Sequence, residues 1–295
     1  MPKVETNVSS EEFKQGAEHT LFVEGDENSL DPQVISKLLG GKIGVKPLGP
    51  SYHIRSAAEA MYKYHPKYYF LIDRDHYDDA FIEQRWSNFP DPDESNLLVW
   101  PRREIENYFI IPDYIKQSEY LTVSFDELEN CIQNLCNERI FIDTANLVIL
   151  EIRENFKQNW INLFDKKEEF RSNEDAIKKL TELNDFNKFK NKIGLETSLQ
   201  HLKDTYDKYY NLLTGSDNKL EFNTGKWLEL IKGKPILPLV IDKCFKVKGT
   251  GKKPLQGKDK MKAITNDLVN KPIENQPHDF QRLYDLISKQ IDRLH

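Results

Sequence analysis

Cysteine is scarce in this chain, with three thiols in 295 residues, Cys131, Cys136 and Cys244. An odd number in so long a chain does not make a disulfide framework, and the first two are not spaced as a zinc knuckle with a histidine pair beside them. They read as ordinary thiols in a reducing compartment. Long apolar runs are missing too. No stretch approaches the roughly 20 apolar residues that cross a bilayer, and Met1 to Ser10 has no apolar core of a secretory signal. A disulfide-built secreted module and a helical membrane protein are therefore excluded, and a cytoplasmic location is the expectation. Excess basic charge is also absent: the net charge is -6. A local basic patch can still bind phosphate while acids elsewhere dominate the sum.

Nucleotide-binding loops are lacking as well. The segment Gly251 to Lys258 has five residues between its glycines where a P-loop has about four, and Asp259 stands where Ser or Thr is needed. Gly40-Gly41-Lys42-Ile43-Gly44 precedes a strand and does not open a helix, so it is not a dinucleotide fingerprint. The chain has no ATP-hydrolysis motif of its own.

What the sequence does contain is a pair of short apolar runs that stop at carboxylates. His19-Thr20-Leu21-Phe22-Val23 ends in Glu24-Gly25, and Tyr68-Tyr69-Phe70-Leu71-Ile72 ends in Asp73-Arg74-Asp75. Such runs are the pattern of buried parallel strands. Ligands of open α/β sheets bind beyond the carboxyl ends of the strands. Glu24, Asp73 and Asp75 would then share one edge, where carboxylates repel unless a cation sits among them. Oxygen ligands without a histidine cluster favour Mg²⁺ or Mn²⁺.

In chain order, residues 9 to 17 begin like a short capped helix. After the first strand, Asp31 and Pro32 suit the N-cap and first position of a helix carrying Val34, Ile35, Leu38 and Leu39, ended by Gly40-Gly41. A strand over 42 to 48, a helix with Ile54, Ala57, Ala58 and Met61, the strand to Asp73 and a strand over 96 to 100 complete a doubly wound α/β pattern. From Pro112 onward the period of 3.6 dominates. Helices are expected at 124 to 138, 146 to 164, 173 to 186, 196 to 213, 224 to 231, 258 to 270 and 278 to 294, with Ile236 to Val240 packing back on the first domain. Asp242 to Lys262 holds eight lysines against two aspartates and reads as a mobile loop. The expected fold class is α/β, a Toprim-like parallel-sheet domain over 1–115 followed by an α-helical domain over 116–295 that selects substrate and partner.

The name of that first domain rests on a resemblance. Glu24-Gly25 after one strand and Asp73-Arg74-Asp75 after another resemble the metal site of Toprim domains, shared by topoisomerases, primases and overcoming-lysogenization-type nucleases. The segment Trp100-Pro101-Arg102-Arg103-Glu104-Ile105-Glu106-Asn107-Tyr108-Phe109 looks like the Glu-Asn-Tyr signature of a Toprim-like nuclease family found beside ABC-type ATPases, whose members include effectors of PARIS anti-phage systems. The motifs cover roughly the first 115 residues. Beyond them the likeness is one of length and helical character.

The resemblance implies acid–base work or metal binding for Glu24, metal binding for Asp73 and Asp75, and an added ligand or orienting group at Glu106. If the third motif is helical, Glu104 and Glu106 cannot share a face, and one of them reaches the metal. Arg74 either holds a phosphate or pairs with an acid; Arg102 and Arg103 either bind phosphate through their guanidinium forks or neutralise the acid cluster. His76, Asp78 and Asp79 fit a helix-starting turn. Toprim sequences commonly carry an acid soon after Glu-Gly; Asn28 aligns there, with Asp26, Glu27 and Asp31 nearby. Lys252 and Lys253 of the lysine stretch are candidates for nucleic-acid backbone, and Lys226 and Lys234 are candidates to return to the site. The implied activity is Mg²⁺-dependent cleavage of transfer RNA by a toxin that an ABC-type ATPase holds silent and that dimerises with itself on release. A DNA endonuclease on the same metal site and an inert docking subunit are the rival readings.

Overall fold

The computed structural model describes residues 19–91, 93–157, 177, 182, 184–215, 219–249 and 253–293. The helix expected at 9 to 17, most of the one at 173 to 186, and Lys252 lie outside the described residues. The first half alternates strand and helix: β1 Thr20–Val23, α1 Leu30–Leu38, β2 Gly44–Pro47, α2 Ser51–Met61, β3 Tyr68–Ile72, α3 Asp79–Asn88 and β4 Leu97–Val99. A 3₁₀ helix, Ile105–Ile110, and α4, Pro112–Ile115, follow. The remainder is helical, with α5 Phe125–Asn137, α6 Ile140–Lys157, α7 Asn184–Glu196, α8 Leu199–Thr214, α9 Trp227–Leu230, α10 Leu237–Cys244, α11 Gly257–Val269 and α12 His278–Arg293.

The strands form one parallel sheet in the order β2-β1-β3-β4. Thr20 stands opposite Gly44 on one side and Tyr68 on the other, and Phe70 stands opposite Leu97. Every residue of β1, β3 and β4 is buried, as both faces of a covered parallel sheet require, and this is why those runs are apolar without alternation. From β1 the chain goes outward to β2 and then crosses through α2 to β3 on the opposite side. The strand order therefore reverses between β1 and β3, which is where open α/β sheets leave a crevice.

Helix α3 was not foreseen from periodicity, because it buries little beyond Ile82 and Trp86. Asp78 starts it by accepting the Phe81 N–H at 2.8 Å, and Trp86 Nε1 donates to Val99 O at 2.7 Å, fastening it to β4. Asp31 is not the cap of α1: Ser29 occupies that position and Asp31 lies buried in the first turn.

Packing groups the chain differently from a division at 1–115 and 116–295. One compact unit consists of Met1–Cys136 and Leu228–His295, and the other is Asn137–Trp227. The returning segment is tied to the sheet unit by aromatic packing and by charge. Phe280 of α12 is fully buried and lies 5.6 Å from Trp100, 4.6 Å from Tyr108 and 6.5 Å from Tyr114, ring centre to ring centre. Tyr108 donates to Asp279 Oδ2 at 2.9 Å, and Arg282 grips Glu83 through two nitrogens at 2.6 and 2.7 Å. The apolar run beginning at Ile236 is helix α10, which packs on the 3₁₀ helix and on α11. The described part of the lysine stretch is anchored, not loose: Leu255 N donates to Val247 O at 2.9 Å, and Phe245 bridges to Leu121.

In the second unit α6 packs against α8. Asp143 is fully buried there and is held by Arg139 Nε at 2.9 Å; Tyr209 donates to Glu151 Oε2 at 2.6 Å.

Candidate functional site

Glu24 leaves β1 at the strand-order reversal, and its Oε1 accepts the Asp73 N–H at 2.8 Å, so the ends of β1 and β3 are locked by a carboxylate. The turn after Glu24 needs glycine. Gly25 has φ +94°, and a Cβ there would lie 2.3 Å from Ser29 Oγ. Gly25 and Gly49 exchange backbone hydrogen bonds at 3.1 Å, which sets the loop after β1 beside the loop after β2.

Asp73 is buried, whereas Asp75 takes a left-handed backbone, φ 46°, and its Oδ2 accepts from Ser51 Oγ at 3.1 Å. Arg74 between them faces inward. Its Nε donates to Tyr77 O at 3.0 Å, Nη1 to Pro101 O at 2.7 Å and Nη2 to Asp79 at 2.7 Å. Arg103 is also buried; its Nη1 donates to Leu230 O at 3.0 Å and its N–H to Glu229 O at 2.8 Å. Arg102 is less covered, donates to Leu228 O at 3.1 Å and lies over the Tyr108 ring. Arg102 and Arg103 strap the returning segment to the sheet unit, whereas Arg74 ties the end of β3 to the loop after β4 and the start of α3. For Arg74 and Arg103 the phosphate role is a poor match, since both are buried with their donors committed. Lys253 is exposed, in the lysine stretch.

The third motif is a 3₁₀ turn with Glu104 as its cap, outside the helix. The face argument for an α-helix therefore does not apply, and Glu104 and Glu106 are both buried beside Asp73 and Lys234. Between them and the returning chain, fully buried Asn107 acts as a clamp. Its Oδ1 accepts the Glu104 N–H at 3.2 Å, and its Nδ2 donates to Leu228 O at 3.1 Å and Ile231 O at 2.7 Å. Gly233 follows so closely that a Cβ would meet Asn107 Oδ1 at 2.7 Å and Asn107 N at 2.8 Å.

That close approach delivers Lys234. Its N–H donates to Glu104 Oε2 at 2.9 Å, and its Nζ lies 3.2 Å from Asp73 Oδ2 and 3.7 Å from Glu104 Oε1. Lys226, the other lysine singled out beside a glycine, belongs to the second unit. Asp31 completes the acid cluster from the first turn of α1. The crevice, about 490 Å³, is lined by Glu24, Gly25, Asp31, Glu106 and Lys234 among others.

The electrostatics show too many acids for one ammonium. Burial, then the neighbouring Asp73, pushes Glu24 up to about 8. Burial raises Asp73 to about 6 and Glu106 to about 7, against the pull of Lys234, and it raises Asp31 well above the carboxylate range. For Lys234 burial works against the charge, yet Asp73, Glu104, Glu106 and Asp31 outweigh it and hold the ammonium above its usual range.

Asp73 Oδ1 and Glu106 Oε2 are buried with no hydrogen-bond partner among the described residues. Unpartnered carboxylate oxygens in an acid-rich crevice fit a hard, oxygen-seeking cation such as Mg²⁺. Among the described residues no three acidic, histidine or cysteine side chains converge as a ready-made metal seat; Asp73 and Glu104 are drawn to Lys234 instead, and Asp75 to Ser51.

Asp31 and Glu104 were underweighted by sequence reasoning. The only signals for them were an acid in the first turn after Glu-Gly and an acid preceding a 3₁₀ turn. Comparison of the chain with protein families finds no match, and comparison with curated proteins finds none either.

Proposed function

We propose that the chain is a divalent-metal-dependent endonuclease of Toprim type, acting at the crevice between β1 and β3. The observation that carries this reading is the pair of unpartnered buried oxygens, Asp73 Oδ1 and Glu106 Oε2, in a cluster of acids that Lys234 alone does not neutralise. Glu24, Asp73 and Glu106 would hold the cation, with Asp75 reaching it by leaving Ser51. Bound Mg²⁺ would supply an activated water and charge neutralisation on the phosphoryl oxygens. Lys234 places a fixed positive charge beside the reacting phosphate. With Oε1 held by the Asp73 N–H, Glu24 would offer its other oxygen to the cation or to the attacking water. Gly25 and Gly49 contribute backbone to the crevice lining, where a substrate could approach closely.

The finer reading rests on the Glu-Asn-Tyr resemblance, which is strongest to AriB, the effector nuclease of the PARIS system. It makes the chain a toxin that cuts transfer RNA after release from an ABC-type ATPase and that works as a homodimer. Exposed Phe141, Ile142 and Ile149 on the unit over residues 137–227 suit a protein partner. A second reading has its own observation. Lys234 already sits on Asp73 and Glu104, as expected of a metal-free docking module that keeps the fold alone.

The test is incubation of the full chain with transfer RNA and with plasmid DNA, in Mg²⁺ or in EDTA, beside Glu24→Ala and Asp73→Asn. Metal-dependent cutting of transfer RNA by the unmodified chain only is the expected result. Cutting of plasmid alone moves the reading to a DNA endonuclease. No cutting of either, together with no Mg²⁺ binding by calorimetry, leaves the docking module.

A further inference from the structure

Next to the acid crevice lies a larger cavity of opposite character, about 570 Å³, between α1, the end of β2 and α11. Its cations come from separate elements: Lys37 from the last turn of α1, Lys46 from β2 and Lys262 from α11. Among the described residues Glu27 is the only acid on its lining. The chain as a whole carries more acids than bases, and many of its lysines are engaged, for example Lys42 with Tyr284 and Lys271 with Asp267. None of the ammonium groups of Lys37, Lys46 and Lys262 has a hydrogen bond or ion pair among the described residues. Three ammonium groups against the one carboxylate of Glu27 leave an excess of positive charge, so the arrangement gains stability from an anion.

Position specifies which kind of anion. The loop after β1 and the first turn of α1 form the wall between cavity and crevice: Asp26 and Asp31 line the crevice, Glu27 and Pro32 the cavity. The loop after β2 is shared in the same way, with Leu48 on the cavity and Gly49 on the crevice. Consecutive α-carbons are ~3.8 Å apart, so a polyanion lying across Gly49 touches both. The volume falls within the range of about 300–1,000 Å³ typical of ligand sites. Pro32, Val45 and Pro47 give an apolar wall for sugar or base, while the lysines stand where phosphates would pass.

The geometry points to a phosphate-binding extension of the crevice: Lys37, Lys46 and Lys262 grip the phosphodiester backbone of a single-stranded nucleic-acid segment flanking the one held at the acids. This inference rests on the reading of the crevice as a nucleic-acid site. It also assigns Lys262 of the lysine stretch a role that Lys252 and Lys253 were expected to fill.

The experiment is binding of a fluorescent single-stranded RNA oligonucleotide to the full chain in EDTA, by anisotropy, across a range of salt. Lys37→Gln/Lys46→Gln/Lys262→Gln is compared with Lys63→Gln/Lys219→Gln/Lys289→Gln, which makes the same charge change elsewhere. Thermal melting confirms that both fold. The cavity variant is expected to bind at least about tenfold more weakly at low salt, and the slope of log K against log salt falls by about 2, since each lost contact on a single strand contributes ~0.7. The control keeps both affinity and slope. A DNA oligonucleotide of the same sequence losing affinity in parallel supports backbone recognition. Equal affinity and slope in the two variants overturns the inference, as does displacement of RNA by inorganic phosphate at submillimolar concentration, which would make the cavity a small-anion site. Failures are distinguishable: if the chain cuts RNA with Mg²⁺ but the cavity variant binds like the control, the nuclease reading stands and this one falls. If nothing is cut but the cavity variant loses affinity and slope, the reverse holds.

Discussion

Replacing Lys234 by Met removes the ammonium from the acid cluster while keeping most of the side-chain stem, and so tests the electrostatic account of the crevice directly. The Nζ lies 3.2 Å from Asp73 Oδ2 and 3.7 Å from Glu104 Oε1. Removing one partner of a fully buried ion pair costs about 3–5 kcal/mol, and an exposed pair about 0–1 kcal/mol. The Asp73 side chain is 9% exposed and that of Lys234 is 48% exposed, so solvent screens the lysine end. An intermediate loss of about 2 kcal/mol is expected. The Lys234 N–H to Glu104 Oε2 bond belongs to the backbone and survives, which confines the change to charge.

The assay is urea unfolding at mildly alkaline pH and low salt, without and with millimolar Mg²⁺. Without metal the variant unfolds at lower urea. With Mg²⁺ its midpoint rises by more than that of the unmodified chain, because a cation that binds only the folded state adds about 2.7 kcal/mol at a hundred times its Kd, and here it replaces the missing charge. Lys234→Arg, retaining the charge, falls close to the unmodified chain. Unchanged stability of Lys234→Met together with no response to Mg²⁺ would refute the reasoning, since the acids would then need no cation of either kind.

Gly233→Ala places a methyl 2.7 Å from Asn107 Oδ1 and 2.8 Å from Asn107 N; the strain costs about 1–3 kcal/mol and shifts Lys234, so the urea midpoint and metal-dependent cleavage fall together. Phe280→Ala empties the space between Trp100, Tyr108 and Tyr114 and lowers stability by about 3–5 kcal/mol, seen as a depressed Tm with the sheet unit melting first. Arg282 and then Ser87 hold the Glu83 carboxyl down from 4.5 to about 2. A depressed folded-state pKa stabilises above the unfolded value and is lost as pH falls from 4.5 toward about 2. The Glu83 side chain is 62% exposed, so Glu83→Gln costs under about 1 kcal/mol near neutrality, and paired urea titrations show the difference closing in acid; a gap that widens in acid contradicts the pairing.

The parts legible in sequence were those fixed by local chemistry. Runs such as Tyr68 to Ile72 are strands because aromatic and branched side chains pack well on a doubly covered sheet, and their abrupt end at Asp73 marks the edge where Glu24 also lies. Burial of an arginine is not local. Arg74 and Arg103 are held by carbonyls of Pro101 and Leu230, and nothing beside them in sequence announces those partners. The paired glutamates misled for a related reason: α-helical spacing was applied to a 3₁₀ turn in which Glu104 is the cap. Asp31 was read as a cap because Asp before Pro commonly is one; moving the helix start back to Leu30 turned the same residue into the crevice.

The least legible feature, the return of residues 228 to 293 to the sheet unit, also gives the Glu-Asn-Tyr motif its physical sense. Glu106 faces the crevice, Asn107 binds the carbonyls of Leu228 and Ile231, and Tyr108 donates to Asp279. Each of the three neighbours thus reaches a different target: the acid site, the segment that carries Lys234, and α12. A buried amide with Nδ2 donating to two carbonyls and Oδ1 accepting one amide leaves little freedom in where that segment can sit. The positive charge at Asp73 is therefore set by residues more than 100 positions earlier in the chain than Lys234, Asn107 together with Arg102, Arg103 and Glu104, and a change in the packing of the returning helices would be felt at the acids through these bonds.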